Sequence, residues 1–560
     1  MPSLIRLPLA AVAVSSAVFF LSAFAAPSPA PSAPQQRITA AGMLHDIAAL
    51  SADSMGGRGP GTAGDRMARA YLVRRLQAIG FVPGGSHGSW EQTIPMVGLS
   101  LPGIGPWRFT GPGGEAAFQW REDFVGGSGV QAPHVAIEDA EVVFVGYGMQ
   151  APEFQWDDFK GADLKGKVLL ILNNDPDWDS TLFAGRKRLY YGRWDYKYET
   201  AAKQGAAAAI VLHTTPSAGY GWNVVARSWS GTLWDMPAGD EARLQFKSWL
   251  TEAAARRLCA LGGRDLDSLV AAAHRRDFTP VPLGVRTSLA FDVKVERGET
   301  ANVIGVLPGS DPRLRWDAVL FTAHHDHLGI GAPDSTGDRI HHGALDNASG
   351  CAQVLGLAAA FAATKPHPRR SIVALFTAGE EQNLLGARYY AAHPTFPLGR
   401  IAADLNFDGA NVWGRTADVA VIGKGKSDLE DRLIVATAGQ RRRVVDDPEP
   451  DKGYYYRADQ LSFARVGVPA LYFGSGQEYL GRPAGWGEQK DAEFVRLRYH
   501  QPGDKILPDW DLSGAVEDTQ LGYVVGLEVA NGEKLPAWYR GDEFEAARKQ
   551  ALGEAGGGGK

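Results

Sequence analysis

Five of the chain's 13 histidines, His324, His325, His327, His341 and His342, fall in one short window. They open an ordered series of imidazole and carboxylate side chains. The first run is Phe321-Thr322-Ala323-His324-His325-Asp326-His327-Leu328-Gly329. It is followed by Gly343-Ala344-Leu345-Asp346-Asn347-Ala348-Ser349-Gly350, Gly379-Glu380-Glu381, Asn406-Phe407-Asp408 and Tyr499-His500-Gln501-Pro502-Gly503-Asp504. Zinc takes neutral imidazole and carboxylate ligands, and a pair of zinc ions needs about five such groups, one of them shared. The chemistry such a set implies is hydrolysis, because a metal lowers the pKa of water to about 7 and a neighbouring carboxylate can accept its proton.

In His324-His325-Asp326 the first and third residues share one side of an extended segment. Asp326 can therefore hold the His324 ring or place a carboxylate behind the ligands. Asp346 is framed by Gly343 and Gly350, and a carboxylate in such a loop can bridge two cations with its two oxygens. Glu380 and Glu381 are adjacent acids at a strand end. Successive side chains diverge, so one can bind metal while the other reaches the water. Asp408 ends the next strand, and His500 arrives late in a loop pinned by Pro502. Singly, each has a plain structural explanation: a solvated helix start for Glu380 and Glu381, an N-cap for Asp346. Their joint occurrence at strand ends makes the case.

The elements that must position them follow from the apolar pattern. From about 300 onward, near-continuous apolar strands at 303–307, 318–323, 372–377, 401–407, 419–422 and 468–473 are interspersed with helical stretches at 348–363, 384–392, 429–438 and 512–530. That alternation predicts an α/β fold, a mostly parallel sheet covered by helices on both faces. Ligands of such sheets bind beyond the carboxyl ends of the strands, where His324, Glu381 and Asp408 fall. Helical spacing recurs at 38–50 and 65–79, around a turn-rich loop at 55–62, and Gly80 is a C-cap. Residues 94–135 are rich in Gly and Pro and predict no element. A different texture begins near 137, with short strands at 142–148 and 168–172, a helix at 198–204 and a strand ending at 212, and no credible metal cluster.

At 560 residues the chain suggests two or three domains. Its 45% hydrophobic and 21% charged residues predict a globular protein, and a net charge of -6 gives no case for nucleic acid. Two cysteines, Cys259 and Cys351, exclude a disulfide-rich scaffold, and Cys351 reads as a free, packed thiol. Arg6, an apolar stretch over 7–24 and Ala23-Phe24-Ala25 predict a cleaved export signal, 1–25, before a Pro/Ala-rich linker, 26–36. The mature chain is expected in a periplasm or outside the cell, with no stable membrane insertion. The Gly-rich end predicts a flexible tail over 541–560.

The ordered set resembles metallopeptidase family 28, the co-catalytic di-zinc aminopeptidases. An Ala-His-x-Asp-His-x-Gly run, Gly-Ala-x-Asp-Asn-Ala-Ser-Gly, a Glu-Glu pair, Asn-x-Asp and a late Tyr-His-x-Pro all stand here in order. The resemblance covers the N-terminal helices with Gly57-Arg58-Gly59-Pro60-Gly61-Thr62, in an N-terminal part of the peptidase domain at 37–110, and all of roughly 296–535, in a catalytic peptidase domain at 296–540. The segment 111–295 resembles an inserted, smaller β-rich protease-associated domain, on Gly161-Ala162-Asp163-Leu164-Lys165-Gly166-Lys167-Val168 and Lys203-Gln204-Gly205-Ala206-Ala207. By that resemblance the substrates are peptides and the cofactor is two zinc ions. His324 and Asp408 bind one, Glu381 and His500 bind the other, and Asp346 bridges. Glu380 is the general base and Asp326 the orienting carboxylate.

Two departures stand out. His325 replaces a usual Tyr. Gln460, in Arg457-Ala458-Asp459-Gln460-Leu461-Ser462-Phe463, replaces a common His near the substrate end of the family's site. Three rivals on the same scaffold compete with an aminopeptidase. A carboxypeptidase needs a cationic pocket for a terminal carboxylate, and the sequence singles out no Arg for it. A glutaminyl cyclase lacks part of the ligand set, and an inactive receptor-like binding protein has a broken one. Here all five ligands and Glu380 are present.

Overall fold

The computed structural model describes residues 30–557. The expected signal over 1–25 lies outside the described residues. The larger of the two main sheets has ten strands. At its centre Ser371–Thr377, Ala318–His324, Ile401–Asn406 and Ala470–Ser475 lie side by side, each pair parallel. The first three are buried along their whole length, as strands covered on both faces must be. Successive side chains go to opposite cores. Phe321 packs with Leu355, Phe361 and Val525 from the helices Ser349–Ala363 and Ser513–Asn531. Leu320 packs with Tyr390 and Phe463 from Leu385–Ala392 and Gln460–Arg465.

The strands on either side of this centre join it antiparallel. Lys294–Leu307 runs against Ser371–Thr377, followed by Glu91–Ser100 and then Leu233–Asp235. At the other edge Asp418–Ile422 opposes Ala470–Ser475 and carries Arg443–Asp446 in parallel. The sheet is thus mixed: parallel through its centre and again in the edge pair Asp418–Ile422 with Arg443–Asp446, antiparallel elsewhere. An apolar run reports burial on both faces but not strand direction, which depends on how each connection crosses the sheet. Glu91–Ser100 was not predicted, because Pro95 and Gly98 interrupt its strand pattern.

Between Glu91–Ser100 and Lys294–Leu307 the chain builds an eight-stranded sheet. Its central strands His134–Phe144, Val168–Leu172, Ala208–His213 and Phe246–Thr251 are parallel neighbours. It has two cores of its own, one around Trp107, Phe109, Phe144 and Leu258 and one around Phe159, Tyr198 and Trp249. The two strands that bracket this segment pair from Lys294↔Ser100 to Val303↔Glu91, so the main-sheet ladder clamps both its ends.

At the N-terminus, Thr39 and Thr62 cap the helices Ala40–Leu50 and Ala63–Ile79 by accepting from Gly42 and Asp65 amides, and Gly80 closes the second at φ 102°. The expected flexible tail is corrected. Glu545–Gly557 is a helix anchored by buried Phe544, Arg548 and Ala551, with Arg548 Nη1 donating to the Ile401 carbonyl at 3.0 Å. The terminal glycines mask a run of strong helix formers over 545–552.

Candidate metal centre

The expected ligands converge past the carboxyl ends of the central strands. His324, last residue of its strand, has Nε2 3.2 Å from Asp346 Oδ1 and 3.3 Å from Asp408 Oδ1. His500 Nε2 lies 3.4 Å from Asp346 Oδ2 and 3.1 Å from Glu381 Oε2. The two oxygens of Asp346 therefore face two different imidazoles. Donor atoms of His324, Asp346 and Asp408 lie within 4.8 Å of one another, as do those of His327, Asp346 and Glu381. His327 had been given no role. Its Nδ1 is 2.7 Å from Glu381 Oε1, so it stands beside the second donor group. The signal was its place in the same histidine run.

Short loops hold these groups. Gly343, at φ 56°, precedes the Ala344–Ala348 turn, and a Cβ there would lie 2.3 Å from the Asp346 carbonyl oxygen. The Asp504 carboxylate accepts the amides of Leu345 and Asp346 at 2.9 and 3.0 Å. Asn347 ties this turn to the Asp408 loop, accepting from the Gly350 and Gly409 amides at 2.9 Å each and donating to the Phe407 carbonyl at 3.0 Å. Asp326 accepts the amides of Glu380 and Glu381 at 3.1 and 3.4 Å, and its main-chain carbonyl oxygen lies 3.2 Å from His324 Nδ1, with its Oδ1 at 3.7 Å. It thus steadies both glutamates as well as the ring. Tyr499 stacks on His500 with ring centroids 3.8 Å apart.

Arg58 braces the centre without contributing a donor atom to it. Fully buried, it donates to the carbonyls of His325, Leu50, His342 and Gly343 at 2.6–2.9 Å. Its only sequence signal was the glycine-rich run around it. His325 turns away from the centre, with Nε2 3.0 Å from Asp65 Oδ1. Gln460 is buried, accepting from Asn406 Nδ2 at 2.7 Å and donating to the Tyr455 carbonyl at 2.6 Å. At this position the side chain braces the strand end.

The electrostatics are those of a cation site. No Lys or Arg among the described residues forms an ion pair with Asp346, Glu380, Glu381 or Asp408; the counter-charges are imidazoles. Burial pushes Glu380 well above the carboxylate range, and the negative charges of Asp408, Glu381 and Asp459 add to it. Burial would raise Asp346 too, but hydrogen bonds from His324 and His500 hold it well below its ordinary value. Glu381 is likewise held at about 2 against burial, chiefly by His500. His324 and His500 are raised well above 6.5, because the carboxylates outweigh burial. An excess of carboxylates with neutralisable imidazoles around one shared Asp is a donor set that fits zinc.

Residues 302–524 match the model of Peptidase family M28. Among solved structures, the aminopeptidase from Aneurinibacillus sp. strain AM-1 has a similar fold. It has a TM-score of 0.50 and 19% identity, with 89% of this chain and 96% of that one covered. Two curated relatives are both named vacuolar membrane protease. That from Tuber melanosporum is 32% identical over 123 residues, covering 21% of this chain and 11% of its own. That from Emericella nidulans is 36% identical over 110 residues, covering 20% and 10%. The match spans about a tenth of these relatives' length. Their name points to a vacuolar membrane, and the expected periplasmic or extracellular location is corrected accordingly. Signal-like apolar composition does not distinguish one non-cytosolic destination from another. Among the described residues no helix is long and apolar enough to cross a membrane.

Proposed function

Because the chain carries a peptidase domain of family M28 over residues 302–524, we propose that it is a zinc-dependent aminopeptidase, removing N-terminal residues from peptides. The observation that carries the reading is the two-sided contact of Asp346, Oδ1 toward His324 and Oδ2 toward His500. His324, Asp408 and one oxygen of Asp346 would hold one zinc ion. Glu381, His500 and the other oxygen would hold a second, with His327 beside them. When bound, the pair would polarise the scissile carbonyl and make a water acidic enough to lose a proton near neutral pH.

The remaining steps belong to the chain. Glu380, half-buried beside the proposed ligands and outside their set, takes a proton from the attacking water and gives it to the leaving amine nitrogen as the C–N bond breaks. Asp326 holds the His324 ring and the amides of both glutamates, so base and ligands keep their spacing. Glu380 and Asp326 are acidic beyond the ligand set. That favours a substrate ammonium over a carboxylate next to the reacting bond.

The test is hydrolysis of amino-acid p-nitroanilides with a free N-terminus against their N-acetylated counterparts, with and without chelator. Turnover of the free form only, abolished by chelator and restored by zinc, is expected. Efficient removal of a C-terminal residue from an N-blocked peptide would reverse the polarity, and chelator-insensitive turnover would remove the metal from the reading.

A further inference from the structure

A second charged feature adjoins the metal centre, and the ligand set does not use it. Arg457 follows the short turn Tyr454–Tyr456, and its guanidinium lies 5.1 Å from the ring centres of both Tyr454 and Tyr220. Arg188 comes from the inserted segment and lines the same cleft, with Asn173, Tyr220, Gly453 and Tyr456. Among the described residues neither guanidinium has a hydrogen-bond or ion-pair partner. The neighbouring acids make their direct contacts elsewhere and act on Arg188 only through their charge: Asp451 lies 3.6 Å from Arg186, and Asp175 accepts the Leu189 amide at 2.8 Å. Two other cations of the cleft are also engaged. Arg193 pairs with Asp195 at 2.8 Å, and Lys452 pairs with Glu449.

Two guanidinium groups face one small cleft with no hydrogen bond or ion pair of their own, although the charges of Asp175 and Asp451 reach Arg188 and that of Glu380 reaches Arg457, and a bound anion would supply the paired contacts they lack. Burial, together with the positive charge of Arg457, pulls Arg188 down to about 10 despite nearby Asp175. The backbone makes room for the arrangement. Gly453, at φ 62°, lies under the Arg188 side chain, where a Cβ would be 3.0 Å from Arg188 Cδ. The cleft is about 20 Å³, little more than the ~10–15 Å³ that one water needs. It suits a small planar anionic group and not a whole side chain. Arg457 is near enough to Glu380 and Tyr499 for its charge to act on both, so the cleft borders the reacting centre.

We propose that Arg457 and Arg188 form a carboxylate subsite that binds an anionic group of the peptide substrate. This rests on the peptidase reading above. It also gives the inserted segment a direct part in specificity, because Arg188 belongs to it. Guanidinium matches carboxylate geometry with paired N–H donors, and the two tyrosine rings 5.1 Å from Arg457 limit how its guanidinium can move. The acidic centre would take the substrate's ammonium, and the arginine pair would take a carboxylate further along the substrate. That carboxylate comes either from the C-terminus of a short peptide or from an acidic side chain.

Two substrate pairs separate these sources: Leu-Ala against Leu-Ala-amide, and Leu-Glu-amide against Leu-Gln-amide. In the wild type at least one charged member should exceed its neutral partner in kcat/KM by about tenfold, the scale of a hydrogen bond to a charged group. Arg457→Met and Arg188→Met should bring that ratio near one, mainly through KM. A second arm uses chelator-treated protein, with melting followed in N-acetyl-alanine and in N-acetyl-glutamic acid α-amide. One or both should raise the wild-type melting temperature and leave Arg188→Met unmoved. Without additive, the variant's own melting temperature is the baseline, because Arg188→Met removes the charge facing Arg457 and also one that compensates buried Asp175. Ratios near one in the wild type, with neither acid shifting its melting, would overturn the subsite. If no peptide is cleaved but the acids still discriminate wild type from variants, the peptidase reading falls and the subsite stands.

Discussion

Arg58 donates through Nε to the backbone carbonyl of His325 at 2.7 Å, across 267 positions of chain. The same guanidinium reaches His342 and Gly343, so one buried side chain ties the strand end bearing His324 to the loop bearing Asp346. The proposed metal ligands are thus spaced by a residue outside their set.

Arg58→Met should leave four buried carbonyls without this donor. At about 1 kcal/mol or more for each unsatisfied group, the loss of stability is expected to exceed roughly 3 kcal/mol. Urea unfolding followed by fluorescence reads this directly. Zinc content after dialysis should fall as well, because the His324 and Asp346 segments are no longer held together. A variant with unchanged midpoint and full zinc content would show that the carbonyls find other donors.

Glu380→Gln keeps the size of the side chain and removes its capacity to take a proton. Turnover should fall by about 10²–10⁴-fold, the usual contribution of general acid–base catalysis. Zinc content should stay near the wild-type value, because Glu380 is outside the proposed ligand set. Full activity in this variant would move the base assignment to another group.

Removing zinc should destabilise the protein, and more so at higher pH. In the metal-free chain His324 and His500 are raised above 6.5 by their carboxylate partners, so the stability they add is present below about 6.5 and lost as pH rises through their folded values. Asp346 and Glu381 are held low, so their contribution is present above the ordinary carboxylate range and lost as pH falls toward about 2. Zinc takes the place of the imidazole protons and does not depend on them. The gain in melting temperature on adding zinc should therefore be larger near pH 8 than near pH 6. Saturation at about 100 times Kd corresponds to about 2.7 kcal/mol per site. A gain that shrinks with rising pH would argue against imidazole ligands.

Both thiols should be silent in the native chain. Burial pushes Cys259 and Cys351 up to about 12, and Cys351 Sγ donates to the His324 carbonyl at 3.2 Å. A raised thiol pKa leaves almost no thiolate at pH 8 or 9, so iodoacetamide is expected to label neither cysteine until urea is added. Native labelling of Cys351 at pH 8 would mean that the helix behind the metal centre opens.

Much of the candidate site was legible without coordinates, because its signals are local. The apolar run 318–323 ends at His324, and the run 372–377 stops just before Glu380 and Glu381. A carboxylate or imidazole placed directly after a buried strand is conspicuous in the sequence. Less legible were His327, which shares a run with better-explained residues, and Glu91–Ser100, where Pro95 and Gly98 obscure the strand period. The tail helix was hidden by the glycines that follow it.

By itself the sequence determined the kinds of donor, their order and the α/β alternation that sets several of them at strand ends, since donor chemistry and apolar periodicity are properties of a residue and its near neighbours. Tertiary structure decided which donors share Asp346, which strands run antiparallel, and that Arg58 braces the centre while Arg188 and Arg457 meet beside it. Those outcomes join positions far apart in the chain. They depend on ladder register, on turns such as that at Gly343 and on the close packing of two sheets, and a residue's immediate neighbours in sequence carry no record of these.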